Sequence, residues 1–211
     1  MNRTPAGPRP ALYVLRHGET ASNLVGRYAG RSDETLTLQG EAQAAQAGER
    51  LRALGIAAVY TSPIVRARQT AEIVARALGV PVRIEDGLAE MAMGPWEGLL
   101  EDEVAARYPV EFQLWRTRPS LLRLPGRESL VDVQTRARHA VQRIMRQAAG
   151  RPVAAVTHVA LVRCLYLWAR GLPLDDYPTV GVPNASIFVL AAASDGVTMV
   201  RLDEHDGPQA S

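Results

Sequence analysis

Residues 12–23 read LYVLRHGETASN, and the fold is decided where this apolar run stops. Val14 and Leu15 are apolar neighbours, as expected of a strand buried on both faces, which places Arg16 and His17 at its carboxyl end. Gly18 then lets the backbone turn without a Cβ clash. The rest of the chain reads as scaffolding that brings other charged groups to His17.

Downstream, strands and helices alternate. After a polar, glycine-containing loop over 26–34, Leu38, Ala42, Ala45, Leu51 and Leu54 recur at helical spacing within residues 37–54, and Gly55 supplies a stop. Residues 57–61 form a second strand. Ser62 reads as an N-cap and Pro63 as the first helical position, opening a helix to Leu78 whose inner face carries Ile64, Ala67, Ala71, Val74 and Leu78. A third strand is expected over 81–85. A helix capped by Ser129 runs through Leu130, Val133, Ala137, Val141 and Ile144 to Gly150. Residues 153–156 form a strand closed by Thr157 and His158, and a nearly all-apolar helix follows from Val159 to Arg170. Residues 185–193 and 197–202, joined by Ser-Asp-Gly, make a hairpin.

This order implies an α/β fold: a three-layer sandwich with a mostly parallel central sheet, a C-terminal β-hairpin and a lid insertion. The organisation is a loose arm over 1–10, one domain over 11–203 with the lid at about 91–127, and a tail over 204–211. Between Asp86 and Arg127 the alternation breaks. Tyr108, Phe112 and Trp115 fall on one side of a short helix there, which reads as a local mini-core. Five arginines of this stretch (Arg107, Arg116, Arg118, Arg123, Arg127) are interleaved with Glu97, Glu101, Asp102, Glu103 and Glu111, the pattern of a solvated surface. Met91, Met93 and Trp96 read either as lid core or as an apolar mouth.

Composition narrows the function. A formal net charge of +2 gives no electrostatic case for a nucleic-acid or membrane partner. All 24 basic residues are arginine, so an anion site in this chain must be built from arginine, and a Walker-type nucleotide loop, which needs lysine, is excluded. The single cysteine, Cys164, precludes an intramolecular disulfide and fits a reducing cytoplasm as a buried thiol. The first ten residues, MNRTPAGPRP, hold no apolar core of signal-peptide length, and no uncharged apolar run approaches the roughly 18 residues of a membrane span.

Ligands of open α/β sheets bind beyond the carboxyl ends of the parallel strands. Arg16 and His17 end the first strand, His158 ends the strand at 153–156, and Arg66 opens the helix after the strand at 57–61. His139 and His205 are expected to be inert. A cation in a helix's first turn opposes the macrodipole at a cost of about 0.3–1 kcal/mol, tolerable when an anion lies between. Arg68 points elsewhere, and the helix from Val159 aims free N–H groups at the same region. Two arginines, two histidines and a helix N-terminus around one anion suit a phosphoryl group best. A metal site from the two histidines with Glu19 or Glu90 ranks below this, because the arginines would repel a divalent cation.

The sequence resembles the histidine phosphatase superfamily, in its phosphoglycerate mutase-like branch. The resemblance is carried by RHGET-x-x-N from Arg16 to Asn23, L-T-x-x-G from Leu36 to Gly40 and S-P-x-x-R-A-x-Q-T-A from Ser62 to Ala71. It continues with E-x-x-x-G-x-W-E-G from Glu90 to Gly98, G-x-E-S from Gly126 to Ser129, Thr157-His158, and P-N-A-S from Pro183 to Ser186. It implies that His17 is the nucleophile that becomes phosphohistidine, that Arg16, Arg66 and His158 clamp the phosphoryl oxygens, and that Glu90 is the proton donor and then the base. Asn23 would be a further phosphate contact, with Thr20, Gly30 and Val159 also at the substrate. It implies no cofactor and no metal. Two positions depart from the pattern: Val159 stands where glycine commonly follows the second histidine, and Ala29 where many phosphatases have glutamine.

The implied activity is hydrolysis of a small phosphomonoester. A cofactor-dependent phosphoglycerate mutase-type phosphotransferase is the alternative, and a non-catalytic phospho-ligand binder ranks lower because His17 and Glu90 are both present. The expected partner is the small-molecule substrate, in the cytoplasm, with a homodimer left open.

Overall fold

The apolar run at the head of the chain is strand β1, Ala11–Arg16, in a computed structural model that describes residues 11–193 and 196–202. The expected arm over 1–10, the Ser194-Asp195 part of the hairpin turn, and the tail with His205 lie outside the described residues. β1 shares one sheet with β2 (Val59–Thr61), β3 (Val82–Ile84), β4 (Val153–Thr157), β5 (Ile187–Ala193) and β6 (Gly196–Arg201). The order is β3-β2-β4-β1-β5-β6. β1 runs parallel to β4, β2 runs parallel to β4 and β3, and the β5–β6 hairpin adds antiparallel to β1.

The two central strands are largely apolar up to their carboxyl ends because both of their faces are covered. Leu12 and Val14 of β1, with Val153 and Ala155 of β4, belong to a core shared with helices α6 (Leu130–Ala148) and α7 (Val159–Ala169). Ala11 and Leu15, with Ala154 and Val156, face α2 (Leu38–Leu51) and α3 (Val65–Leu78) on the other side. Each fully buried Leu or Val contributes roughly 1.5–3 kcal/mol. α2 is capped by Thr37, whose Oγ1 accepts the Gly40 N–H at 3.0 Å, and it tightens into a 3₁₀ turn, Arg52–Leu54, before left-handed Gly55. α6 is capped by Ser129 as expected.

α3 begins later than its sequence suggests. Ser62 stays in the sheet, its N–H bonded to Val156 O at 3.0 Å, and Ile64 with extended backbone becomes the N-cap. The Ser62 hydroxyl still accepts the Ile64 N–H at 3.2 Å, but Pro63 lies outside the helix. β3 is a short edge strand exposed on both faces.

The segment between Asp86 and Arg127 holds no strand. It consists of 3₁₀ turns with the short helices α4 (Glu101–Arg107) and α5 (Pro109–Thr117); another short helix, α1 (Ala21–Val25), follows the first motif. Trp96 is fully buried, with Tyr28, Tyr108, Phe112 and Trp115 packed round it at ring-centroid distances of 5.7–6.5 Å. Here one expectation fails. Arg127 is no solvated arginine: it is buried, its guanidinium 4.9 Å from the Trp96 ring centroid and 4.3 Å from that of Trp115. Burial lowers its pKa to about 10, which still leaves it charged at neutral pH. The aromatic faces substitute for a carboxylate partner. Among the described residues no helix is long and apolar enough to cross a membrane.

Candidate active site

The carboxyl ends of β1, β2 and β4 converge, and the pairing continues one step past the strands. His17 N–H donates to Thr157 O at 3.0 Å, and Arg16 N–H to Ser186 O at 3.1 Å. Just beyond, the backbone passes very close to α2. A Cβ on Gly18 would lie 2.3 Å from Gly40 O, and one on Gly40 would lie 2.2 Å from Glu19 O. The glycine after His17 is therefore required by a backbone crossing, and the L-T-x-x-G motif supplies the other half of it. Thr70 of α3 fastens the same point, accepting Gly18 N–H at 3.0 Å and donating to Arg66 O at 2.8 Å.

Local bonds define both imidazoles. His17 Nδ1–H donates to Gly18 O at 2.7 Å, so Nε2 carries the lone pair, and Arg66 Nε donates to it at 3.2 Å. His158 Nε2 lies 2.7 Å from Ser62 Oγ. That hydroxyl already accepts from Ile64 N–H and has no other acceptor among the described residues, so it donates to Nε2. His158 Nδ1 is then an N–H donor, buried and without a protein partner. The rings sit 5.1 Å apart. Burial, then the charges of Arg66 and Arg16, hold the His17 pKa well below its ordinary 6.5. Burial and Arg66 do the same for His158. Both rings are neutral at physiological pH.

Arg66 is 1% exposed and donates Nη1 to Ser32 O at 2.9 Å and Nη2 to Gly30 O at 2.7 Å. With Nε committed to His17, two of the five guanidinium N–H groups remain for an anion. Arg16 donates Nη1 to Val182 O at 2.7 Å, and burial lowers its pKa to about 10. Glu90 accepts the Met91 N–H on Oε1 at 2.7 Å. Burial raises its pKa above the ordinary carboxylate value, opposed by that N–H and by Arg66, Arg136 and Arg16.

These groups border a cavity of about 530 Å³. Arg16, His17, Asn23, Gly30, Arg66, Glu90 and Val159 line it, with His158 fully buried behind. Asn23 Oδ1 accepts Thr20 N–H at 3.1 Å and Asn184 Nδ2 at 2.8 Å, which leaves the Asn23 amide nitrogen as a donor. Gly30 takes a left-handed φ of 52°, where a Cβ would also meet the Glu97 carboxylate at 2.3 Å. Thr20 departs from expectation: it is fully buried as the N-cap of α1 and is not on the cavity wall. Arg68 and His139 are exposed and are not among the residues that line the cavity.

Other residues of the site carried no separable signal in the sequence. Asn184, quoted in P-N-A-S without a role, holds Asn23 and donates to His17 O at 3.2 Å. Ser62, read only as a cap, sets the His158 tautomer. Arg163 of α7 faces the cavity with its Nε tied to Val180 O at 2.8 Å and its guanidinium 4.8 Å from the Tyr177 ring centroid. Trp115, Tyr177, Met91 and Met93 give the mouth an apolar wall. Among the described residues no three His, Cys, Asp or Glu side chains are grouped to hold a metal ion.

Comparison with known proteins gives the family. The pattern of the Histidine phosphatase superfamily (branch 1) matches residues 12–205. Phosphoserine phosphatase 1 of Hydrogenobacter thermophilus is 32% identical over 179 residues, 85% of each chain. A probable phosphoglycerate mutase GpmB of Salmonella paratyphi B is 35% identical over 180 residues, 83% of this chain and 82% of the relative. The solved structure of the mycobacterial glucosyl-3-phosphoglycerate phosphatase complexed with VO3 superposes with a TM-score of 0.82 at 30% identity, covering 97% of this chain and 100% of that one. Some curated mycobacterial relatives are longer, and the chain spans 55% of their length.

Proposed function

The chain belongs to the histidine phosphatase superfamily, and we propose that it hydrolyses small phosphomonoesters through a phosphohistidine on His17. The observation that carries this is the His17 tautomer. Nδ1–H is spent on Gly18 O, so the buried neutral ring carries its lone pair on Nε2, where it accepts Arg66 Nε–H until that donor turns to the incoming phosphoryl group. Names of the relatives support the substrate class: phosphoserine and glucosyl-3-phosphoglycerate phosphatases act on small phosphorylated molecules.

The substrate's phosphoryl oxygens take the free N–H groups of Arg16 and Arg66, His158 Nδ1–H and the Asn23 amide. Charge that builds on those oxygens in the transition state meets donors already in place. His17 Nε2 forms a bond to phosphorus as the ester P–O bond breaks, and protonated Glu90 gives its proton to the departing alkoxide. The Glu90 carboxylate then takes a proton from water, whose oxygen attacks phosphohistidine and releases inorganic phosphate. Two easier displacements replace one hard one. Proton transfer of this kind contributes about 10²–10⁴ in rate.

The arginines supply the charge a metal would otherwise bring, so chelators are expected to leave activity intact. Loss of activity in EDTA would contradict that part. Buried, unpaired Cys164 supports a reducing compartment such as the cytoplasm. The phosphoglycerate mutase alternative rests on the GpmB relative. It predicts conversion of 3-phosphoglycerate to its 2-isomer with little phosphate release, where the phosphatase reading predicts phosphate. The deciding experiment is p-nitrophenyl phosphate hydrolysis by wild type and His17→Ala. Loss of activity in the variant is expected, and equal rates would end the proposed mechanism.

A further inference from the structure

Glu90 has an unusual dependence on its main chain. Among the described residues its carboxyl makes one protein bond, Oε1 to the neighbouring Met91 N–H, and no bond to another side chain. The position of the acid is therefore the position of the backbone at 89–92, and two arginines hold that backbone. Arg136 of α6 donates Nη1 to Gly87 O at 3.1 Å and to Ala89 O at 2.6 Å, and Nη2 to Glu90 O at 3.1 Å. Arg31 approaches from the other side and donates Nε to Glu90 O at 3.0 Å. Between them they occupy both lone pairs of the Glu90 carbonyl.

Both arginines close on one carboxylate, Glu128. Arg136 grips it in a fork, Nε to Oε1 at 2.8 Å and Nη2 to Oε2 at 3.0 Å. Arg31 Nη2 reaches Oε2 at 3.0 Å. Glu128 also binds the acid's strand of chain directly: Oε2 accepts Ala92 N–H at 2.9 Å, and Glu128 N–H donates to Ala92 O at 3.0 Å. Arg31 in turn sits between Gly30 and Ser32, whose carbonyls hold Arg66. One continuous set of charge-assisted bonds thus runs from the phosphoryl clamp to the acid, and Glu128 neutralises the two arginines that complete it.

We propose that Glu128 is a positioning residue for proton transfer, holding the Glu90 backbone in register with the Arg66 clamp through Arg31 and Arg136. It rests on the phosphatase reading, which gives Glu90 the proton transfers. It assigns a task to the glutamate of the G-x-E-S motif, which touches neither the cavity nor the reacting atoms. Without the carboxylate, Arg31 and Arg136 are unpaired like charges against one carbonyl, and Ala92 is held to residue 128 by the backbone bond alone. A displacement near 1 Å at a catalytic group costs on the order of 10²-fold.

The test compares leaving groups. An alkyl phosphate such as β-glycerol phosphate needs a proton on its departing oxygen, whereas p-nitrophenolate leaves with little help. For wild type, Glu128→Gln, Arg31→Met and Glu90→Gln, kcat/KM is measured on both substrates and the alkyl-to-aryl ratio is taken. kcat/KM reports the steps through phosphoryl transfer to His17. A smaller folded fraction, or a changed field acting on both dianions, cancels in the ratio. The ratio is expected to fall about tenfold or more in Glu128→Gln, in the direction of Glu90→Gln, and about threefold in Arg31→Met. Arg31 has a side chain 46% exposed, so its variant carries the test if Glu128→Gln does not fold. Ratios within twofold of wild type in the variants of Glu128 and Arg31, with Glu90→Gln displaced, overturn the positioning role and leave the phosphatase reading standing. An undisplaced ratio in Glu90→Gln overturns both.

Discussion

His17 and Glu90 are driven to their neutral forms by the same burial, acting in opposite directions on the pKa of a base and of an acid. The arginines separate them: Arg66 and Arg16 push His17 further down but pull Glu90 back toward ionisation. In the proposed mechanism His17 is therefore the unprotonated nucleophile, and Glu90 is the group whose proton is lost as pH rises. With an alkyl phosphate, kcat/KM should fall on the alkaline side with loss of one proton. We assign that limb to Glu90, since the His17 value lies too low to set it, Arg16 of the clamp gives up its proton only near 10, and the substrate's own second ionisation near pH 6 shapes only the acid side. Glu90→Gln should lower kcat/KM by about 10²–10⁴-fold and remove the alkaline limb. A limb of unchanged midpoint in that variant would assign it to another group.

Among the elements, the crossing of the loop after β1 over α2 leaves the least room. Gly18→Ala places a Cβ 2.3 Å from a backbone oxygen, which no rotamer change relieves. Overpacking of this kind costs about 1–3 kcal/mol, and here it also displaces the residue after the nucleophile. Urea unfolding of Gly18→Ala should show the loss, and wild-type stability would mean that α2 moves freely. The glycine itself was legible in the sequence, but the reason was not, because Gly40 is distant along the chain. The same divide runs through the whole site. Strand ends at Arg16 and His158, and helices such as α6, follow from local periodicity and caps. Ser62 looked like an ordinary cap because its second bond is to His158, 96 residues away. Arg127 looked solvated because its neighbours in sequence are charged, while its neighbours in space are Trp96 and Trp115. The Arg31–Glu128–Arg136 set joins two loops to α6 and has no periodicity to reveal it.

The molecule as a whole folds the two histidines of the candidate site into a buried centre, and its stability must then depend on pH. Both have folded-state pKa values well below 6.5, the value expected when unfolded. Their contribution is complete above that value and is lost as pH falls below it, because the unfolded chain takes up protons that the native state refuses. Each histidine contributes a slope of up to about 1.4 kcal/mol per pH unit, so the pair contributes up to about 2.7. Glu90 acts in the opposite sense: its raised folded value gives stability that is present below 4.5 and is lost as pH rises through that folded value. The wild-type curve is a difference of these effects. The histidine part is isolated by His17→Asn with His158→Asn, which leaves Glu90 in place. Urea titrations between pH 7 and 5 should show wild-type unfolding free energy falling more steeply than that of the double variant, with His17→Asn alone intermediate. Parallel curves for all three would mean that the native state accepts these protons, and the neutral nucleophile on which the mechanism depends would be lost with them.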